Sequence, residues 1–114
     1  MAIIIQTMES TQLISSLNKA IKTHSILTWT VDEMGDYTIS RDQWRYLAWM
    51  RAYIENNRIV FGIIQSRRFP MTKELYGVYH GRFVATLLSH FDVNIYELKV
   101  TPLLMQGYDI ANEY

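Results

Sequence analysis

The side chains best suited to chemistry lie within and just before one predicted helix, which spans residues 72–91. His80 carries an imidazole, the side chain whose ordinary pKa lies nearest neutral pH, and Tyr76 lies one turn before it on the same helix face. Arg67 and Arg68 precede the N-terminus of the helix, where free N–H groups and the dipole attract anions. These four residues predict a small anionic-ligand or enzymatic site, with His80 as base or donor, Tyr76 as its orienter and the arginines as the clamp. The alternative is a core histidine bonded to a carbonyl or a tyrosine.

The same helix carries a strip of small residues. Gly77, Gly81 and Ala85 recur every four residues and therefore share one side of the helix. Each glycine costs about 0.5–1 kcal/mol relative to alanine, and close approach of another backbone or a ligand would explain that cost. Projection at about 100° per residue puts both glycines on the buried side with His80, Val84, Leu87, Leu88 and Phe91, and it puts Leu75, Tyr79, Arg82, Thr86 and Ser89 opposite. We expect Gly81→Leu to disrupt folding or association.

A second group of charged residues lies between residues 41 and 68. This stretch holds six arginines and two acids, a local balance of six minus two, or +4. With Trp44 and Trp49 nearby, backbone charge and base stacking would suit single-stranded nucleic acid. The zero net charge of the whole chain argues against a dedicated nucleic-acid-binding protein. The alternative is that these arginines form a solvated face or make intramolecular ion pairs.

Three large aromatic residues provide another candidate surface. Tyr46, Trp49 and Tyr53 occupy adjoining positions of a helix predicted over residues 40–55. Exposed aromatic side chains beside arginine commonly anchor protein interfaces. The alternative is that a second layer of the fold, either the first helix or the C-terminal tail, covers them.

The sequence lacks the patterns of common catalytic and metal sites. His24, His80 and His90 have no zinc-ligand spacing, the chain has no cysteine, and the acidic turn at residues 32–36 lacks the spacing of a calcium loop. There is no nucleophile motif, phosphate loop or dinucleotide fingerprint. No apolar run reaches the roughly 18 residues that span a bilayer, and the N-terminus lacks signal-peptide features. We expect a cytoplasmic protein with no cofactor, no metal and no membrane contact, and the missing motifs favour a non-enzyme.

The hydrophobic patterns predict one α+β domain over residues 1–114, with an irregular tail from about residue 105. The predicted elements are strands at residues 2–6, 25–31, 37–39, 58–65 and 93–101, and helices starting near Ser10, Ser40 and Thr72. Gly62, within its strand, marks a bulge or a close contact with a helix. The order β-α-β-β-α-β-α-β predicts a mixed or antiparallel sheet with helices packed on it, and its first six elements match the ferredoxin-like succession.

The function expected first is therefore a protein-interaction or self-associating module, with a homodimer as one form. Its surface would be the aromatic residues around Trp49 or the strip of Gly77 and Gly81. The alternatives are the anionic-ligand or enzymatic site at His80 and single-stranded nucleic-acid binding through residues 41–68.

Overall fold

A six-stranded antiparallel sheet and two helices form the fold in the computed structural model, which describes residues 2–112. The elements are β1 (Ile3–Gln6), α1 (Ser10–Lys22), β2 (Trp29–Val31), β3 (Tyr37–Ile39), β4 (Ala48–Glu55), β5 (Arg58–Gln65), α2 (Lys73–Phe91) and β6 (Glu97–Val100). The strands lie in the order β2-β3-β4-β5-β1-β6, so β1 is inserted between β5 and β6. The α+β class is confirmed.

Several predicted elements are present, because local signals specify them. The isoleucines of β1 and the alternating residues of β2 and β3 form strands, and the acidic turn joins β2 to β3. α1 buries Leu13, Leu17 and Ile21, as its 3.6-residue period predicts. The predicted cap of α2 is confirmed, since the Thr72 hydroxyl accepts from the Leu75 amide at 3.1 Å.

The prediction of a helix over residues 40–55 is wrong. This segment contains a short 3-10 turn (Asp42–Trp44) and then β4, which pairs with β5 from Ala48↔Gln65 to Glu55↔Arg58 around a two-residue turn. Ala48 and Met50 are buried, as the alternation of a strand requires, and Met50 also fits the helical spacing that predicted the helix. The observed order is β-α-β-β-β-β-α-β and does not match the ferredoxin-like succession.

Both helices pack on one face of the sheet, where an aromatic cluster centres on Phe83 of α2. The Phe83 ring lies 4.8 Å from Trp29, 4.8 Å from Phe61 and 5.6 Å from Tyr37, measured between centroids. α1 reaches the same cluster through Asn18, which accepts a 2.6 Å hydrogen bond from the Tyr37 hydroxyl. Edge-to-face rings at these distances add to the burial of their apolar area.

This cluster fixes the rotation of α2 and corrects the predicted buried side. Gly81 precedes Phe83 by two residues, about 200° around the helix, and both Gly77 and Gly81 are exposed. Leu75 and Tyr79, predicted on the opposite side, are buried, whereas His80, Leu87 and Phe91 are buried as predicted. The expectation that the glycine strip packs inside the fold is therefore wrong.

The C-terminal segment covers part of the other face of the sheet. Its backbone crosses Gly62 of β5, where a Cβ atom would overlap the Tyr108 carbonyl. Ile110 then extends the sheet beside β5, donating to the Ile63 carbonyl at 2.8 Å and accepting from the Gln65 amide at 2.9 Å. The close contact at Gly62 is with the tail backbone, whereas the prediction was a bulge or a close contact with a helix.

Candidate functional site

His80 and Tyr76 lie together in the interior of the fold. Each is 2 % exposed, and the ring centroids are 4.6 Å apart. The His80 Nδ1 atom lies 2.8 Å from the Tyr76 carbonyl oxygen, one turn earlier in α2. This arrangement matches the core-histidine alternative, and a ligand would reach the imidazole only after the core opened. A ligand-binding role for the pair stays a prediction.

Arg67 and Arg68 lie on the exposed loop between β5 and α2. Neither side chain forms an ion pair with any residue from 2 to 112. Arg67 borders a broad depression together with Asp109 and the tail, and neither His80 nor Tyr76 lines that depression. The structure thus brings His80 to Tyr76 and leaves the two arginines at the surface.

The remaining arginines of residues 41–68 mostly bind groups of their own chain. Arg51 makes a bidentate ion pair with the buried Asp36, at 2.9 and 2.8 Å, which raises the pKa of its guanidinium. Arg58 pairs with Glu55 at 2.6 Å. The Tyr108 hydroxyl and then Arg58 lower the pKa of the Glu55 carboxyl. These are the intramolecular pairs of the alternative interpretation, and nucleic-acid binding stays a prediction.

Asp42 connects the loop before β4 to α2. Its carboxylate accepts from Arg82 at 2.7 Å and from the Trp44 amide at 2.9 Å. The Trp44 hydrogen bond and then the Arg82 side chain lower the pKa of this carboxyl. The Arg45 guanidinium donates to the Asp42 carbonyl at 3.0 Å, so the arginines of this loop are positioned by local contacts.

Tyr46, Trp49 and Tyr53 do not form one helical surface. Tyr46 precedes β4 and is 51 % exposed, whereas Trp49 and Tyr53 lie in β4 and are half-buried. The Tyr53 ring packs edge-to-face on Tyr108 of the tail, with centroids 5.1 Å apart. The tail therefore covers Tyr53, as the alternative anticipated, and an interface role for the three residues stays a prediction.

The described residues, 2–112, contain no group of three histidine, aspartate or glutamate side chains placed to hold a metal. In the acidic turn, one oxygen of Asp32 accepts from the Met34 and Asp36 amides, at 2.9 Å each. The turn is thus organised by its own hydrogen bonds. Within the same range, neither helix has the length and apolar character needed to cross a bilayer.

A different surface combines exposed apolar side chains with a free strand edge, and we call it the β6 edge (residues 93–103). β6 pairs with β1 and is the last strand on its side of the sheet. Large apolar residues concentrate here: Val93 is 89 % exposed, Tyr96 64 %, Val100 41 % and Leu103 76 %. Unpaired strand edges with apolar side chains are sites at which proteins add another strand.

The hydrogen bonds of β6 show which amides face outward. The Thr101 amide donates to the Ala2 carbonyl at 3.0 Å, so Lys99 and Glu97, at alternate positions, also direct their amides toward β1. The amides of Leu98 and Val100 point away from the sheet.

Comparison of the chain with protein-family models, curated proteins and solved structures gives no match. The chemistry of its own surface is therefore the basis for a functional proposal. The sequence predicted the alternation at residues 93–101 but gave no signal that this strand lies at an edge, because that depends on the insertion of β1 between β5 and β6.

Proposed function

We propose that this chain is a non-enzymatic self-associating module, in which β6 pairs antiparallel with β6 of a second copy. The observation that carries the proposal is the self-complementary order Glu97-Leu98-Lys99 on an exposed strand edge. Two such edges related by a two-fold axis would join two six-stranded sheets into one continuous sheet. Such a closed symmetric contact uses the same patch on both copies.

A two-fold axis through Leu98 would pair both the backbone groups and the charged side chains of the two strands favourably. The outward amide and carbonyl of Leu98 would bond Leu98 of the second copy reciprocally. Glu97 would then lie opposite Lys99 of the second copy, and Lys99 opposite its Glu97. Opposite charges are favourable across strands.

The two faces of β6 also suit this arrangement. Leu98 pairs with Ile5 and Val100 with Ile3, residues of the buried face, so the apolar side chains of β6 continue the core side of the sheet. Glu97 and Lys99 point to the other face, where their side chains are 50 % and 64 % exposed and 3.3 Å apart. Within one copy this exposed pair contributes little to stability, so its charges are free to pair across the axis.

Charge reversal tests the proposal without disturbing the core. Lys99→Glu places like charges opposite each other twice in a dimer, and so does Glu97→Lys. We expect each variant to fold as the parent does. Its dimer dissociation constant should be about 30-fold higher, because the two changed pairs together cost roughly 2 kcal/mol of binding free energy. Sedimentation equilibrium measures this constant, and circular dichroism checks the fold.

Combining the two changes provides the matched control. The double variant Glu97→Lys/Lys99→Glu restores opposite charges, as does an equal mixture of the two single variants, so both samples should regain dimers. Gly81→Leu should remain dimeric. A parent that is monomeric at millimolar concentration, or single variants that dimerise like the parent, would refute the proposal. Loss of the dimer in Gly81→Leu alone would place the contact on the glycine strip.

A further inference from the structure

A cavity of about 390 Å³ lies between the end of α1 and the strands β2 and β3, apart from the residues used in the proposal above. Its walls include Ile26, Trp29, Ser40, Arg41 and Tyr46, together with His24. The volume is within the range of small-molecule sites, which are about 300–1,000 Å³. We propose that this cavity binds a small aromatic carboxylate.

Two of the residues that line the cavity, Ile26 and Trp29, are apolar and buried. Trp29 and Ile26 are 2 % and 3 % exposed. The Trp29 indole N–H is buried and has no hydrogen-bond partner among residues 2–112. Because Trp29 lines the cavity, the NMR signal of its indole N–H reports on what binds there.

The polar groups around the cavity favour an anion. None of its lining residues is acidic, and Arg41 forms no ion pair with any residue of the described chain. Its Nε atom donates to the Leu27 carbonyl at 3.0 Å, which fixes the side chain and leaves the terminal nitrogens as donors. The Ser40 hydroxyl donates to the same carbonyl at 3.3 Å. A planar guanidinium matches a carboxylate in geometry and charge.

Two residues border the cavity in left-handed backbone conformations. His24 (φ 64°) is the residue at which the chain leaves α1, a usual place for this conformation. Tyr46 (φ 57°) is a bulky residue for which the conformation costs about 1–2 kcal/mol. The protein retains this unfavourable backbone conformation although the Tyr46 ring is half exposed and lies beside the cavity. Strained residues of this type concentrate at ligand sites.

Titration with 2-naphthoate, followed by nitrogen–proton NMR of the indole groups, tests the proposal. The chain has three tryptophans, and Trp29→Phe identifies the Trp29 signal. We expect a saturable shift of this signal with 2-naphthoate and a weaker response to the neutral 2-naphthamide. Arg41→Gln should weaken binding about tenfold, the loss expected for a charged hydrogen bond.

Arg67→Gln is the matched control, because Arg67 is an exposed arginine without an ion pair in the described chain and does not line this cavity. It should bind 2-naphthoate as the parent does. Tyr46→Asn, which removes the ring at a position where asparagine tolerates the left-handed backbone, gives a second measurement if Arg41→Gln alters the fold, and it should bind more weakly than the parent. No saturable shift at millimolar 2-naphthoate, equal affinity for the amide, or equal weakening by Arg67→Gln would each overturn the proposal.

Discussion

Gly62 in β5 and the pair Gly77 and Gly81 in α2 are all glycines inside regular structure, but their surroundings differ. At Gly62 a Cβ atom would overlap the Tyr108 carbonyl and lie 3.1 Å from the Asp109 amide nitrogen. At Gly77 and Gly81 a Cβ atom would meet nothing within 4 Å. Within one copy, therefore, only Gly62 brings another backbone close.

The difference shows what a glycine pattern does and does not specify. The spacing of Gly77 and Gly81 identifies a smooth side of α2, but the rings around Phe83 decide which side faces the core. At Gly62 a partner segment is held in place by specific bonds, since the Asp109 carboxylate accepts from the Ile63 amide at 2.8 Å and from the Met105 amide at 2.7 Å. Close approach follows from the packing of the whole chain.

The largest expected effect is that of Gly62→Ala. The added methyl group must displace the backbone of Tyr108, so we expect a loss of about 3 kcal/mol in the free energy of unfolding. Equilibrium urea unfolding measures this change, with Gly81→Ala as the same substitution at an open position. A variant as stable as the parent would show that the tail does not cross β5 at Gly62.

Asp109→Ala should have a smaller effect at the same contact. It removes the carboxylate that binds two backbone amides, for a loss of about 2 kcal/mol. In hydrogen exchange, the Met105 amide should lose protection, whereas Leu87 in the core of α2 should keep it. Unchanged protection of the Met105 amide would contradict the anchoring role of Asp109.

The smallest effect, and one of opposite sign, is expected for Gly81→Ala. Alanine is favoured over glycine within a helix by about 0.5–1 kcal/mol, and the new methyl group meets no neighbour. Urea unfolding should therefore show a modest stabilisation. Destabilisation by more than 1 kcal/mol would indicate that the strip packs against something after all, as the helical projection predicted.

Much of the fold is predictable from local sequence, because caps, turns and regular alternation act over a few residues. The Thr72 cap, α1, β5 and the β2–β3 hairpin are of this kind. β4 is not, since Met50 and its neighbours fit both a helical and a strand period, and pairing with β5 decides between them. Helical projection also could not predict which side of α2 faces the core, because apolar residues are distributed almost evenly around that helix.

The candidate sites depend still more on distant contacts. The β6 edge exists because β1, from the start of the chain, pairs with both β5 and β6. The cavity beside Trp29 is lined by residues from three separate segments. Tyr46 was not predicted to line it, because residues 40–55 were predicted to be a helix. The spacing of His80 and Tyr76 places them one turn apart on α2, but their burial follows from the packing of that helix.

The most direct test of the central claim, self-association through β6, is hydrogen exchange at the Leu98 amide as a function of protein concentration. This amide points away from β1 in a single copy, whereas the Lys99 amide points toward it. We predict that exchange at Leu98 slows as the dimer forms while Lys99 stays protected throughout. A dimer in which Leu98 exchanges as fast as in the monomer would contradict the claim.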